Sequence, residues 1–361
     1  MTAPTRRRPT PRPDIEAMEG YHSPQVDVAV RLNTNESPVG PPAAFRAAVA
    51  AAVADVDWNR YPDRGAEGLR RAIGDLHGRP SEQIFAANGS NEVLQSLCLA
   101  YGGHGRRVLT FEPTYALHGH IAQVTGTEVV REQRDAAFEL DLADASRAVE
   151  VVGPSITFLC SPNNPTGVVE SEEVVRGVLE ACERAGSLLV VDEAYGQFAP
   201  WSALELVDED RPLVVTRTFS KTWAMAGARL GYMVAPTWVV GEMDKVVLPY
   251  HLDVMTQIAG SLALEHVHEM DARVASLVEE RGRLVAGLCD LPVTVWPSGA
   301  NFILFRPDDH DGADVWAALV ERSVLVRNCA SWPGLDGCLR VTVGTTEEDD
   351  AFLAALREIL P

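Results

Sequence analysis

The sequence predicts an α/β fold with a mainly parallel sheet, followed by a smaller α+β unit, and two observations predict it. From about residue 41 to residue 234, helical stretches alternate with short runs rich in Val, Ile and Leu, the pattern of strands joined by crossover helices. Beyond Pro249 a long helical pattern takes over, from about Met255 to Leu288. In order, Pro41-Pro42 opens an Ala-rich helix and Gly65 to Gly78 reads as a second. Short strands follow at Ile84–Ala87 and Val108–Phe111. Ser155–Cys160 and Ser187–Val191 are almost wholly apolar, as strands covered on both faces are. Leu213–Arg217 and Arg229–Val234 complete this part, and the remainder holds Pro292–Phe305, a helix over Asp311–Arg322 and strands near Leu325 and Leu339.

The 361 residues, 46% of them hydrophobic and 23% charged, have ordinary globular composition and suffice for two domains. A net charge of −20 repels phosphate backbones and argues against a nucleic-acid partner. The six cysteines contain no C-x-x-C pair, which fits reduced thiols in the cytoplasm and suggests no metal. The densest apolar stretch, Ala47 to Ala54, is far short of the ~20 residues that cross a bilayer, so no membrane partner is expected. The basic, proline-rich start carries no complete Sec or twin-arginine signal, and residues 1–20 read as a disordered arm. Of the 31 basic residues only Lys221 and Lys245 are lysine. An amine retained in so arginine-rich a chain is a candidate for chemistry that guanidinium cannot perform, because guanidinium does not deprotonate at useful pH.

Ligands of open α/β sheets sit beyond the carboxyl ends of the strands, and four such loops carry suitable side chains. Asn88-Gly89-Ser90-Asn91 opens a helix whose free N–H groups suit a phosphate, although Gly-Ser-Asn is equally an ordinary N-cap. Ser161 to Gly167 places Asn163 and Asn164 between two prolines, a rigid turn presenting an amide. Asp192 ends a buried strand, with Tyr195 three residues on, and a carboxylate there is costly without a partner. Thr218-Phe219-Ser220-Lys221 puts hydroxyls beside one of the two lysines, with Arg229 eight residues later. An amine for an aldehyde, a carboxylate for a pyridine nitrogen, donors for a phenolate and a phosphate clamp are the requirements of pyridoxal 5′-phosphate.

The segments Arg31–Pro38, Arg60–Asp63, Asn164–Gly167, Asp192–Tyr195, Ser220-Lys221 and Leu339–Gly344 strongly resemble the fold-type-I pyridoxal-phosphate aminotransferases, from about Tyr21 to the C-terminus. The resemblance implies a large cofactor-binding domain over 41–250, with a mainly parallel seven-stranded sheet between helices. It also implies a smaller α+β domain over 251–361 and a segment, 21–40, that packs on the small domain and the active site. By the same resemblance Lys221 holds the cofactor aldehyde and shuttles a proton, and Asp192 pairs with the ring nitrogen. Asn164 and Tyr195 bond the phenolic oxygen, and Tyr115 stacks on the ring. Gly89, Ser90, Asn91, Thr218, Ser220 and Arg229 hold the phosphate. Tyr61 reaches that phosphate from the neighbouring subunit, which implies a homodimer.

Within this family the chain is similar to the branch acting on histidinol phosphate, a phosphorylated amine, with glutamate and 2-oxoglutarate as the other pair. The resemblance assigns Arg340 and Arg327 to the substrate's anionic groups, and Tyr21, Asn91 and Tyr250 to the histidinol-phosphate pocket. Two alternatives stay open. One is an aromatic amino acid substrate, and the other is decarboxylation of threonine phosphate, because Val326–Leu335 is similar to those decarboxylases. Fusion of such a fold to a DNA-binding domain finds no helix-turn-helix here. His118-x-His120 and His266-x-His268 are spaced wrongly for one helix face and read as surface or packing histidines.

Overall fold

The computed structural model describes residues 8–18, 20 and 26–360. Its strands are β1 (Val30–Leu32), β2 (Ile84–Ala87), β3 (Arg107–Glu112), β4 (Glu128–Gln133), β5 (Ile156–Cys160), β6 (Leu188–Asp192), β7 (Leu213–Thr218), β8 (Gly231–Val234), β9 (Val293–Val295), β10 (Phe302–Pro307), β11 (Val324–Asn328) and β12 (Leu339–Thr342). Seven of them form one sheet in the order β2-β8-β7-β6-β5-β3-β4, and five form another in the order β1-β11-β12-β10-β9. In the larger sheet only β8 runs against its neighbours, β2 and β7, and the rest are parallel. β5, β6 and β7 are buried along their whole length, as their apolar runs require in the centre of a sheet covered on both faces. Successive side chains alternate between two cores. Ile84, Ala86, Leu109 and Leu159 enter the one, and Phe85, Ala87, Val108 and Phe158 enter the other.

The smaller sheet joins distant parts of the sequence. β1 pairs in parallel with β11, Val30 opposite Val324 and Leu32 opposite Val326, and β11 and β10 both run antiparallel to β12. The residues that leave β1 therefore enter the space between the two sheets. Glu193, just beyond β6, accepts from Arg217 Nη2 at 2.6 Å and from Arg217 Nε at 3.1 Å, and both side chains are buried. Ser202 Oγ and the Ala203 N–H also donate to Glu193, so both its oxygens are occupied. This pair ties the loop after β6 to β7, the two strands that flank the site.

Three expectations are corrected. β4 carries no strand signal in the sequence reading, because it is an edge strand whose polar side chains face water on most positions. The start is not disordered throughout: Pro13–Glu16 forms a helical turn, and Arg12 Nη2 donates to Val124 O at 2.9 Å. The boundary expected at residue 250 lies further on. Leu252, Ala259, Ala263 and Met270 still pack in the core of the larger sheet, whereas Leu277, Leu284 and Leu288 pack against the smaller one. The 23-residue helix Val267–Cys289 thus carries the chain from one core to the other.

Removing one partner of a buried ion pair strands the other charge. We expect Arg217→Met to lower folding stability by about 3–5 kcal/mol, read as a shift of the urea unfolding midpoint; an unchanged midpoint would show that Glu193 finds its counter-charge elsewhere.

Candidate active site

The carboxyl ends of β5, β6 and β7 open into a cavity of about 410 Å³ that is closed on its other side by residues following β1 and by β11–β12 side chains. It brings together Ser90, Asn91, Tyr115, Asn164, Asp192, Tyr195, Thr218, Ser220, Lys221, Arg229, Arg327 and Arg340, twelve residues that the sequence singled out. Tyr61 and Tyr250 are not in its lining. They stack on each other at 4.5 Å with a 16° interplanar angle and are exposed. Tyr21 lies outside the described residues.

Asp192, the last residue of β6, is buried. Its Oδ1 accepts from Thr216 Oγ1 at 3.0 Å and from the Ala194 N–H at 3.2 Å, and its Oδ2 lies 3.0 Å from His118 Nε2. The His118 ring is itself clamped, stacked on Phe158 at 4.8 Å and edge-on to Tyr115 at 5.4 Å. His118 does not line the cavity: it is a packing histidine, as expected, and from behind the site it holds the Asp192 carboxylate. The helix Ala116–Val124 begins immediately after Tyr115 and turns His118 inward, toward β6.

Lys221 is half-buried, and its Nζ donates to Thr34 O at 3.0 Å. Burial, with the positive charges of Arg340 and Arg229, pulls its amine down from 10.5 to about 7, while Glu36 acts in the opposite sense. The fraction of neutral, nucleophilic amine near pH 7 is thereby far larger than for a surface lysine. Tyr195 is buried, accepts from Asn35 Nδ2 at 2.9 Å and is pushed up to about 12 by burial, against the pull of Arg340 and Asn35. Asn164 Oδ1 accepts from Arg340 Nη1 at 2.5 Å, which fixes the amide so that its NH₂ remains a donor. Arg340 Nη2 donates to Asn33 O at 3.1 Å, and its Nε is buried with no hydrogen-bond partner among the described residues.

The segment Asn33–Glu36 is the part of the site that sequence reasoning missed as chemistry. Asn35 adopts φ +54°, donates its N–H to Thr342 Oγ1 at 3.0 Å, and its carbonyl accepts from Asn301 Nδ2 at 3.2 Å. Through it the N-terminal segment, β12 and Tyr195 are bonded in one network.

The helix Gly89–Tyr101 lines the cavity with Ser90 and Asn91 of its first turn, where helical N–H groups have no partner within the helix. Gly89 has φ +77°, and a Cβ there would sit 2.8 Å from Arg229 Nη2. At Gly231 a Cβ would lie 2.2 Å from Ser90 N, so only glycine lets β8 approach the helix start this closely. Thr218 Oγ1 donates to Ser220 Oγ at 3.0 Å, and Arg229 Nη1 donates to the same oxygen at 3.4 Å. Free N–H groups, two hydroxyls and a guanidinium form an anion cradle. A half-neutral amine, a buried carboxylate and this cradle fit the group that the sequence requires.

Comparison with known proteins agrees. Residues 27–356 match the family Aminotransferase class I and II. The chain belongs to this family. A histidinol-phosphate aminotransferase from Frankia casuarinae is 44% identical over 97% of this chain and 90% of its own length, and one from Paenarthrobacter aurescens is 42% identical over 97% and 94%. Among solved structures, the histidinol-phosphate aminotransferase of Sinorhizobium meliloti in complex with pyridoxal-5′-phosphate superposes with a TM-score of 0.86 at 24% identity, covering 96% of both chains, which shows the shared aminotransferase fold. Among the described residues no helix is long and apolar enough to cross a membrane.

The lowered Lys221 amine sets a pH dependence. We expect the rate at which cofactor-free protein captures an aldehyde at Lys221 to rise about tenfold per pH unit below pH 7 and to level off above it, because neutral amine is then the dominant form. A rate still climbing toward pH 10 would show that the cavity does not depress this amine.

Proposed function

We propose that the protein is a pyridoxal 5′-phosphate-dependent transaminase of histidine biosynthesis that moves an amino group between glutamate and imidazole acetol phosphate. The products are 2-oxoglutarate and L-histidinol phosphate, and the reaction runs in both senses. The observation that carries the substrate is identity of 42–44% along almost the whole chain to relatives of that name. The cavity supports it, since one site must take a carboxylate in one half-reaction and a phosphate in the other. Arg340 and Arg327 line it, and guanidinium binds both groups in a bidentate manner.

Bound in the cavity, the cofactor supplies an aldehyde for the substrate amine and a ring that accepts the electrons of the bond broken at Cα. Lys221 would hold the aldehyde, Asp192 would face the ring nitrogen, and Asn164 and Tyr195 would donate to the ring oxygen. Tyr115 would cover the ring face, and Gly89, Ser90, Asn91, Thr218, Ser220 and Arg229 would clamp the phosphate. Asp192 is kept from rotating by Thr216, the Ala194 N–H and His118, so its charge stays fixed at one spot. The Lys221 amine, about half of it neutral at pH 7, would take the proton from the substrate Cα and hold it for return. Arg340 is oriented before substrate arrives by Asn164 and the Asn33 carbonyl, which lowers the ordering cost of binding.

Spectral titration of the loaded protein tests this reading. L-histidinol phosphate at low concentration should convert the cofactor to its amine form, and 2-oxoglutarate should reverse the change. Preference for L-phenylalanine would move the protein to the aromatic branch, and carbon dioxide release from O-phosphothreonine would replace transamination by decarboxylation.

The functional unit is a homodimer in this reading, with Tyr61 reaching the cofactor phosphate of the neighbouring subunit. Trp58, Tyr61, Leu248 and Tyr250 support it: all four are exposed, a concentration of large apolar side chains that a second copy would cover. Sedimentation should give a two-chain mass, and Tyr61→Ala should loosen cofactor binding; a stable one-chain species with full cofactor affinity would refute the shared site. A cytoplasmic location is supported by six cysteines, all free.

A further inference from the structure

Apart from Asp192, the only acidic side chain among the described residues that line the cavity is Glu36. Asp192 is already held at the floor by three protein donors. Glu36 is different. It is exposed at the mouth, it forms no salt bridge among the described residues, and Thr34 Oγ1 donates to its Oε2 at 3.0 Å, which orients the carboxylate. A carboxylate in a cavity that otherwise presents Lys221, Arg229, Arg327 and Arg340 is set against the prevailing charge, and it attracts a different part of the ligand than the arginines do.

Its place along the segment indicates which part. The Asn33 carbonyl meets Arg340, the group for the anionic end of a substrate, and the Thr34 carbonyl meets Lys221, the group at the reacting carbon. Glu36 follows two residues later, at most about 10 Å from Asn33 along the chain. The order anion site, amine, carboxylate along Asn33–Glu36 parallels the order phosphate, amine-bearing carbon, imidazole along L-histidinol phosphate. An imidazole N–H is a donor that phenyl and aliphatic side chains lack, and a carboxylate is its natural acceptor.

We propose that Glu36 is a specificity-determining residue whose carboxylate accepts a hydrogen bond from the imidazole of the substrate and, by the same charge, disfavours substrates with an acidic side chain at that position. This rests on the transaminase reading above. Glutamate, the other substrate, must then place its side-chain carboxylate at the arginines and away from Glu36.

The test compares half-reaction kcat/KM values of the loaded wild type, Glu36→Gln and Glu36→Asp with L-histidinol phosphate, L-phenylalanine and L-glutamate. Loss of one charge-assisted bond predicts that Glu36→Gln lowers the ratio of histidinol phosphate to phenylalanine by about tenfold, mostly through KM for histidinol phosphate. The ratio of glutamate to phenylalanine should stay nearly constant, since neither side chain meets Glu36. Glu36→Asp, which keeps the charge, should recover part of the histidinol-phosphate preference. Equal losses on all three substrates, or an unchanged ratio of histidinol phosphate to phenylalanine in Glu36→Gln, would overturn the assignment while leaving the transaminase reading intact. A wild type that turns over phenylalanine and ignores histidinol phosphate would instead overturn that reading, and the role of Glu36 with it.

Discussion

The site depends first on a carboxylate buried at the end of a central strand. Burying Asp192 costs free energy, and the structure meets that cost with a hydroxyl from β7, a backbone N–H and an imidazole from the helix after Tyr115. Each donor comes from a different element, so β7, the loop after β6 and the helix Ala116–Val124 must all be in place before the carboxylate is satisfied. The Glu193–Arg217 pair one residue further holds the same two strands together from the other side of the loop. A fixed negative charge is useful to a ring nitrogen because it does not have to reorganise when charge develops.

The second constraint is the crossing of the Asn33–Glu36 segment between the sheets. Backbone carbonyls of Asn33 and Thr34 take the two most important cations of the cavity, and Asn35 takes Tyr195 and Thr342. The two sheets meet the substrate through this segment, so residues that carry no obvious chemistry in the sequence control where Arg340 and Lys221 stand.

Most of the architecture was legible because β5, β6 and β7 are unmistakably buried runs and their loops carry the reactive residues. The site residues on those loops were legible for the same reason: the carboxylate ends its strand, and the amine and the amide follow theirs within four residues. The bond of His118 to Asp192 was not, since the x-His120 spacing suggested a failed metal pair and the partner on β6 is 74 residues away. β4 was missed because an edge strand needs little apolar surface. The boundary was misplaced because the helix Val254–Ala263 presents Ala259, Gly260 and Ala263 inward and reads the same whichever core it joins. The carbonyl contacts of Asn33 and Thr34 were invisible in principle, since every residue has a carbonyl and only the fold says where it points.

β1 begins at residue 30 and its strand partner β11 at residue 324, and Asn35 bonds to Thr342 across 307 positions. Closing so long a stretch of chain is entropically slow relative to local structure. During synthesis the larger sheet has all its strands once residue 234 has left the ribosome, yet the wall formed by β12 and its bond to Asn35 have to wait for the last tenth of the polypeptide. A nascent chain therefore carries Lys221 without Arg340 while the 119 residues between them are added, about a third of its synthesis, so the reactive amine exists before the guanidinium that directs a substrate to it.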